Sequence, residues 1–270
     1  MTRRTRTANQ TCRVPFTPSH VAAVLPFART PLLPAALVIG SMGPDLFYYV
    51  PLPIDRSFTH SWLGVVTVDL VLGVALFALW QLVFRTPLVD FMPLAARRRI
   101  AAMPWSGIRP RGMSWARLGI LLVVSVLIGT ATHVVWDSFT HPDWVVYQLS
   151  WLRQQWGPKP VYEWAQYFSS VFGSAVVLIW TIRWWRRTRP VDAAPTRISR
   201  SVRVLGWVSV LGIGLVVALA IWVPEILKGQ SPVFAALVFR TVTVGLAAAG
   251  LAALLWSLAW WLLRPRATTA

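Results

Sequence analysis

The sequence predicts an all-α fold, a polytopic membrane helix bundle with about six transmembrane helices. Three observations carry that expectation. The 270 residues are 56% hydrophobic with 17 tryptophans, too apolar for a soluble domain. The apolar residues fall in runs of about 20, enough to cross ~30 Å of hydrocarbon at 1.5 Å per residue. The basic residues collect in the gaps between these runs, as topology determinants do. The net charge of +17 is therefore read as orientation in a lipid bilayer, with no nucleic acid as partner.

In chain order, residues 1–13 form a disordered basic N-terminus. Its MTRRTRT leads into the broken segment VPFTPSHVAAVLP and not into a continuous apolar run, so no cleavable signal peptide is expected. The single cysteine, Cys12, has no partner for an internal disulfide. Thr17 or Ser19 would cap a short helix over about 20–28. A first crossing follows over 32–50, broken by Gly40, Gly43 and Pro44 just before Asp45. Non-helical backbone at membrane depth persists only where protein or a water-lined cavity satisfies it. The alternative is an N-terminal helical hairpin, re-entrant over 18–43. After the loop PLPIDRSFTHS come crossings at about 62–84, 118–136, 164–184, 205–223 and 242–263. These divide the chain into a membrane domain at 14–185, an Arg-rich cytoplasmic linker at 186–203 and a C-terminal transmembrane hairpin at 204–270.

With six crossings and a cytoplasmic N-terminus, that side holds Arg3, Arg4, Arg6, Arg13 and Arg29, seven arginines over 85–117, seven over 183–203, and Arg264 with Arg266. The other side holds Arg56, Arg153, Lys159 and Lys228, with Arg240 near a helix start. This asymmetry places both termini in the cytoplasm. Only two of the 26 basic residues are lysine, and Ala is abundant, which suggests a G+C-rich genome and so a bacterial inner membrane.

The chemistry gathers at the end of the third crossing, in HVVWDSFTHPDW. His133 and Asp137, four apart, share one helix face about one turn from each other, a spacing that suits two ligands of one metal ion. Pro142 disfavours helical geometry at His141, so the helix should end near residues 138–140 with His141 in the turn. In the six-crossing topology Asp45, His60, His133, Asp137 and His141 all fall at the outer helix ends. Such a mixed N/O set suits a divalent metal, zinc first, with manganese or iron as alternatives. Asp69, nine positions after His60, is expected on the opposite face of its helix, paired with a polar group of another helix.

The stretches PFTPSHVAAVLP, LVIGSMGPD, RSFTHSWLG and THVVWDSFTHPDW resemble an uncharacterised family of bacterial multi-pass membrane proteins over most of the chain. More distantly the same landmarks are similar to LexA-regulated inner-membrane proteins predicted to be metal-dependent hydrolases. Their order is also similar, as a pattern only, to the helical zinc-dependent phospholipase C class. Carried over position by position, the hydrolase resemblance implies roles for His20, Pro44 with Asp45, Arg56 to Ser61, and His133, Asp137 and Thr140. This chain departs from it at Phe47, where a second acid would stand, and at Asp55, where a histidine would precede the arginine. Asp55 or His141 would make up the ligand number. His20 joins the site only if the N-terminal hairpin forms, because a spanning 32–50 leaves it on the arginine-rich side.

The function expected is that of a membrane-embedded, metal-dependent hydrolase acting on a lipid or phosphoester substrate at the bilayer surface. His20, Asp45, His60, His133 and Asp137 would hold the metal. Asp55 or His141 would relay the proton, and Arg56 would grip a phosphate with its planar fork. Two non-enzymatic readings compete: a scaffold whose polar cluster locks helices together, and a metal or proton transporter. The sequence has no Gly-rich phosphate loop and no dinucleotide fingerprint, which argues against a nucleotide cofactor.

Overall fold

The computed structural model describes residues 17–103, 113–193, 196, 198–227 and 234–263. The basic segment 1–13, with Cys12, lies outside them. The described chain is almost wholly helical, as expected. It opens with a 3₁₀ turn, Thr17–His20, continuing through α1 (Val21–Val24) into a second 3₁₀ turn, Leu25–Arg29. The chain reverses and returns as α2 (Pro34–Met42) and a 3₁₀ turn, Gly43–Tyr48. Nine residues of α2 rise only ~14 Å, too short to cross a bilayer. The stretch expected to cross over 32–50 is therefore not one long described helix, and the N-terminal helical hairpin forms in its place.

Two short helices follow, α3 (Arg56–Thr59) and α4 (Trp62–Val66). Asp55 caps the first and Ser61 the second, each side chain accepting from a backbone N–H. A break at Thr67, with φ −118° and ψ −94°, separates α4 from α5 (Val68–Leu79). A π-turn joins α5 to α6 (Arg85–Phe91), making one apolar rod. The crossing expected at 62–84 is therefore displaced to Val68–Phe91. Next come α7 (Leu94–Ala101), the long α8 (Trp115–Thr140) and α9 (Trp144–Gln148). After a two-residue antiparallel ribbon, Gln155–Trp156 with Lys159–Pro160, the chain completes α10 (Val161–Arg187), α11 (Arg200–Leu227) and α12 (Phe234–Leu263). Among the described residues five helical stretches are long and apolar enough to cross a membrane.

Lipid tails are as apolar as leucine, so helices in a membrane associate through close packing and interhelical hydrogen bonds. The pairing of α2 with α8 uses both. A Cβ at Gly40 would lie 2.5 Å from the Val126 carbonyl oxygen, and one at Gly129 would collide with the Leu37 carbonyl, so only glycine lets these backbones meet. The Leu33 N–H donates to Ser125 Oγ at 2.9 Å, and Leu33, Ala36, Phe77, Leu118 and Val126 form the buried core around the crossing. The C-terminal hairpin is tied on by tryptophans: Trp207 donates to the Phe91 carbonyl, Trp260 to Asp90 and Trp261 to the Val83 carbonyl.

Both termini, which the sequence places in the cytoplasm, lie outside the described residues.

Candidate metal centre

Four segments converge at one end of the bundle. Pro44 opens the 3₁₀ turn that carries Asp45, and Pro18 stands in the turn that carries His20. Asp55 starts α3, so that Arg56 lies in its first turn and His60 at its C-cap. The last two turns of α8 present His133 and Asp137 on one face. Helix α8 ends at Thr140, and His141 takes extended backbone ahead of Pro142, as expected.

Asp45, His60, His133 and Asp137 are all buried, and one ligand atom from each lies within 4.8 Å of the other three. This group could hold a metal ion. The His60 and His133 Nε2 atoms are 3.3 Å apart. His60 Nε2 lies 3.2 Å from Asp137 Oδ2 and 3.6 Å from Asp45 Oδ1, and His133 Nε2 lies 3.6 Å and 3.7 Å from the same two oxygens. A tetrahedral ion with bonds of ~2.0–2.1 Å has ligand-to-ligand edges of roughly 3.3–3.4 Å. The observed edges bracket that value.

The protons favour the same reading. The His133 Nδ1–H donates to the Ser41 carbonyl at 2.8 Å, and the His60 Nδ1–H to the Arg56 carbonyl at 3.1 Å. A carbonyl oxygen only accepts, so His133 is fixed with its Nε2 lone pair turned to the centre, the arrangement second-shell partners impose on metal-binding histidines; His60, whose Nδ1 also lies 3.0 Å from Thr59 Oγ1, turns its Nε2 lone pair the same way when its Nδ1 carries the proton donated to the Arg56 carbonyl. Two lone pairs then face each other and two carboxylate oxygens. Only a cation, or a proton added to a ring, relieves such a convergence.

His20 joins the cluster. Its ring stacks on His133 with centroids 4.1 Å apart, and its Nε2 lies 3.3 Å from Asp137 Oδ1. Burial, reinforced by the neighbouring His133, pushes the imidazole pKa down to about 3, so it is neutral at neutral pH. For Asp45, burial raises the carboxyl pKa, and a protonated His133, the alternative to a bound cation, more than offsets this and holds it below its ordinary value. Neither nitrogen of His20 has a hydrogen-bond partner, nor do Asp45 Oδ1 and Asp137 Oδ1. Buried polar atoms are seldom left so.

Around this core, Thr17 Oγ donates to Asp45 Oδ2 at 2.7 Å and itself accepts from the Tyr49 hydroxyl at 3.1 Å. Thr17 thus serves Asp45 and does not cap a helix. Arg56 lies 3.0 Å from Asp137 Oδ2 with its side chain 30% exposed, against 0–2% for the ligand pairs, so it marks the way to solvent. His141 Nδ1 sits 3.5 Å from Asp137 Oδ2, and its Nε2 lies 3.0 Å from Gln166 Nε2 on α10. Asp55 stands apart: it is exposed, and its carboxylate is spent on the Ser57 N–H and hydroxyl, which hold its pKa down. Asp69 differs from expectation. The break at Thr67 resets the helical register, and its buried carboxylate has no hydrogen-bond partner.

The chain belongs to the family described as Domain of unknown function (DUF4184), which matches residues 14–258. No curated protein and no solved structure matches it.

Proposed function

We propose that the protein is a membrane-embedded, metal-dependent hydrolase of a phosphoester or lipid-like substrate. The observation that carries this reading is the convergence of two Nε2 lone pairs and two carboxylate oxygens, both rings held by carbonyls behind them. Zinc is the first candidate for this N/O set, ahead of manganese or iron. When bound, a divalent ion supplies a water of pKa near 7 and polarises a phosphoryl or carbonyl oxygen.

The chain's own residues do the rest. Asp45, His60, His133 and Asp137 bind the ion, with His20 on the second oxygen of Asp137. Partly exposed Arg56 orients an anionic oxygen arriving from the surface. His141, hydrogen-bonded through Nε2 to Gln166, moves the proton through Nδ1. That role falls to His141 in preference to Asp55, which already caps α3. The resemblance to LexA-regulated predicted hydrolases supports the roles given to His20, Asp45, Arg56, His60, His133 and Asp137. The arginine-rich end of the bundle is the cytoplasmic one on this reading, and the site opens on the other face. A scaffold would leave no reason for unpartnered oxygens on Asp45 and Asp137.

The test is metal content by elemental mass spectrometry on detergent-purified protein, wild type beside His133→Ala and Asp137→Ala, with thermal stability recorded for each. One stoichiometric metal that vanishes in variants that still fold supports the centre and justifies a screen of phosphoester and lipid substrates. A wild type that stays metal-free after supplementation overturns the hydrolase reading.

A further inference from the structure

A second feature lies at the far end of the bundle from the metal centre. Gln166 touches the site and Arg183 follows it on α10 by 17 residues, about 25 Å along the helix. There the tip of the N-terminal hairpin and the last turns of α10 enclose a groove of about 840 Å³. One part of its wall is apolar, with Leu25, Ile179 and Trp180; the other carries Arg29, Arg183 and Arg187. None of these three arginines forms an ion pair among the described residues.

We propose that this groove binds an anionic phospholipid, its phosphate on Arg29, Arg183 and Arg187 and an acyl chain along Leu25, Ile179 and Trp180. The occupant must be amphipathic because the wall changes from apolar to cationic along a helix that is itself long and apolar enough to cross the membrane. It must be anionic because three guanidiniums share one groove with no carboxylate among its described lining residues to offset them. Solvated interfacial arginines would satisfy the topology rule from any position on these helices; here one comes from the hairpin tip and two from α10, and they meet across a cleft. Basic pockets between transmembrane helices are the usual seats of anionic headgroups. The inference is independent of any metal at the other end.

The experiment uses full-length protein in detergent, titrated with phosphatidylglycerol or phosphatidylcholine and read by native mass spectrometry and thermal stability. The variants are R29Q/R183Q/R187Q and, as an equal loss of charge outside the groove, R186Q/R189Q/R200Q. Wild type and control should retain a one-to-one phosphatidylglycerol adduct that raises the melting temperature, and the groove variant should bind about a hundredfold more weakly. If the triple variant fails to fold, R183Q alone should weaken binding about fivefold. Equal loss in both triple variants, or no preference for phosphatidylglycerol over phosphatidylcholine, overturns the proposal. So does dimerisation through this face with no lipid retained.

Discussion

Thr17 donates its hydroxyl proton to Asp45 Oδ2 at 2.7 Å, which leaves the other carboxylate oxygen aimed at the two histidines. A residue at the first described position of the chain thereby orients a ligand 28 positions later. The hairpin is what allows it: the outgoing and returning limbs end side by side.

Thr17→Val keeps the shape of the side chain and removes only the hydrogen bond. Metal affinity should fall about 10- to 100-fold, the usual effect of deleting an outer-shell partner, with the fold retained. Competition with a chromophoric chelator measures this. Unchanged affinity alongside unchanged stability would mean that Asp45 needs no orientation or binds no metal.

Metal retention should depend on pH in one direction. Both histidines must present a lone pair and both carboxylates a negative charge, so protons compete with the ion and loading falls as pH drops. Equilibrium dialysis from pH 8 to 5 should show loading that declines steadily as the pH falls. Loading that rises on acidification would contradict the ligand set.

The α2–α8 crossing gives a prediction about folding that carries through to the site. Gly129→Ala drives a methyl group into the Leu37 carbonyl, and backbone cannot swing aside as a flexible side chain does. The cost should be about 1–3 kcal/mol, with metal lost at the same time because α2 runs directly into the turn holding Asp45. Gly250→Ala, whose added Cβ meets nothing within 4 Å, should change neither. Thermal melts with and without chelator separate the two effects.

The long rods α8, α10, α11 and α12 were legible because continuous apolar runs admit few other structures. So was the His133–Asp137–His141 arrangement, since helical spacing and Pro142 together dictate it. The hairpin was legible only as an alternative: the apolar run over 32–50 has the length of a crossing, and the choice depends on where Gly40, Gly43 and Pro44 break it. What hydropathy could not show was the supporting shell. Ser41 contributes a backbone carbonyl, which no side-chain pattern announces, and Gln166 is a single amide on a helix otherwise read for its apolar face. For Asp55 a signal did exist: a carboxylate two residues before Ser57 at a helix start is an N-cap pattern, and its proximity to Arg56 and His60 drew attention from that role.

Asp69 is the sharpest departure from that reading, and it can be tested. It lies in the first turn of α5 on the same face as Gly73, which packs against Val126 of α8, so it turns into the bundle and not away from it. It is 1% exposed, and neither carboxylate oxygen has a hydrogen-bond partner. A buried polar group left unsatisfied costs about 1–3 kcal/mol, more if it is charged. If that cost serves nothing, Asp69→Leu, an apolar side chain of somewhat larger volume, should raise the melting temperature and leave metal content and any hydrolysis unchanged. If the carboxyl is kept for a task, the variant should be at least as stable but lose function, while Asp69→Asn keeps the shape and restores neither a charge nor a transferable proton. Intramembrane acids are retained for function far more often than by accident, so the second outcome is the one expected. Melting curves and metal analysis on the two variants, followed by activity once a substrate is found, decide between them. A variant that is less stable than wild type contradicts both accounts, because it would show that the carboxyl has a stabilising partner.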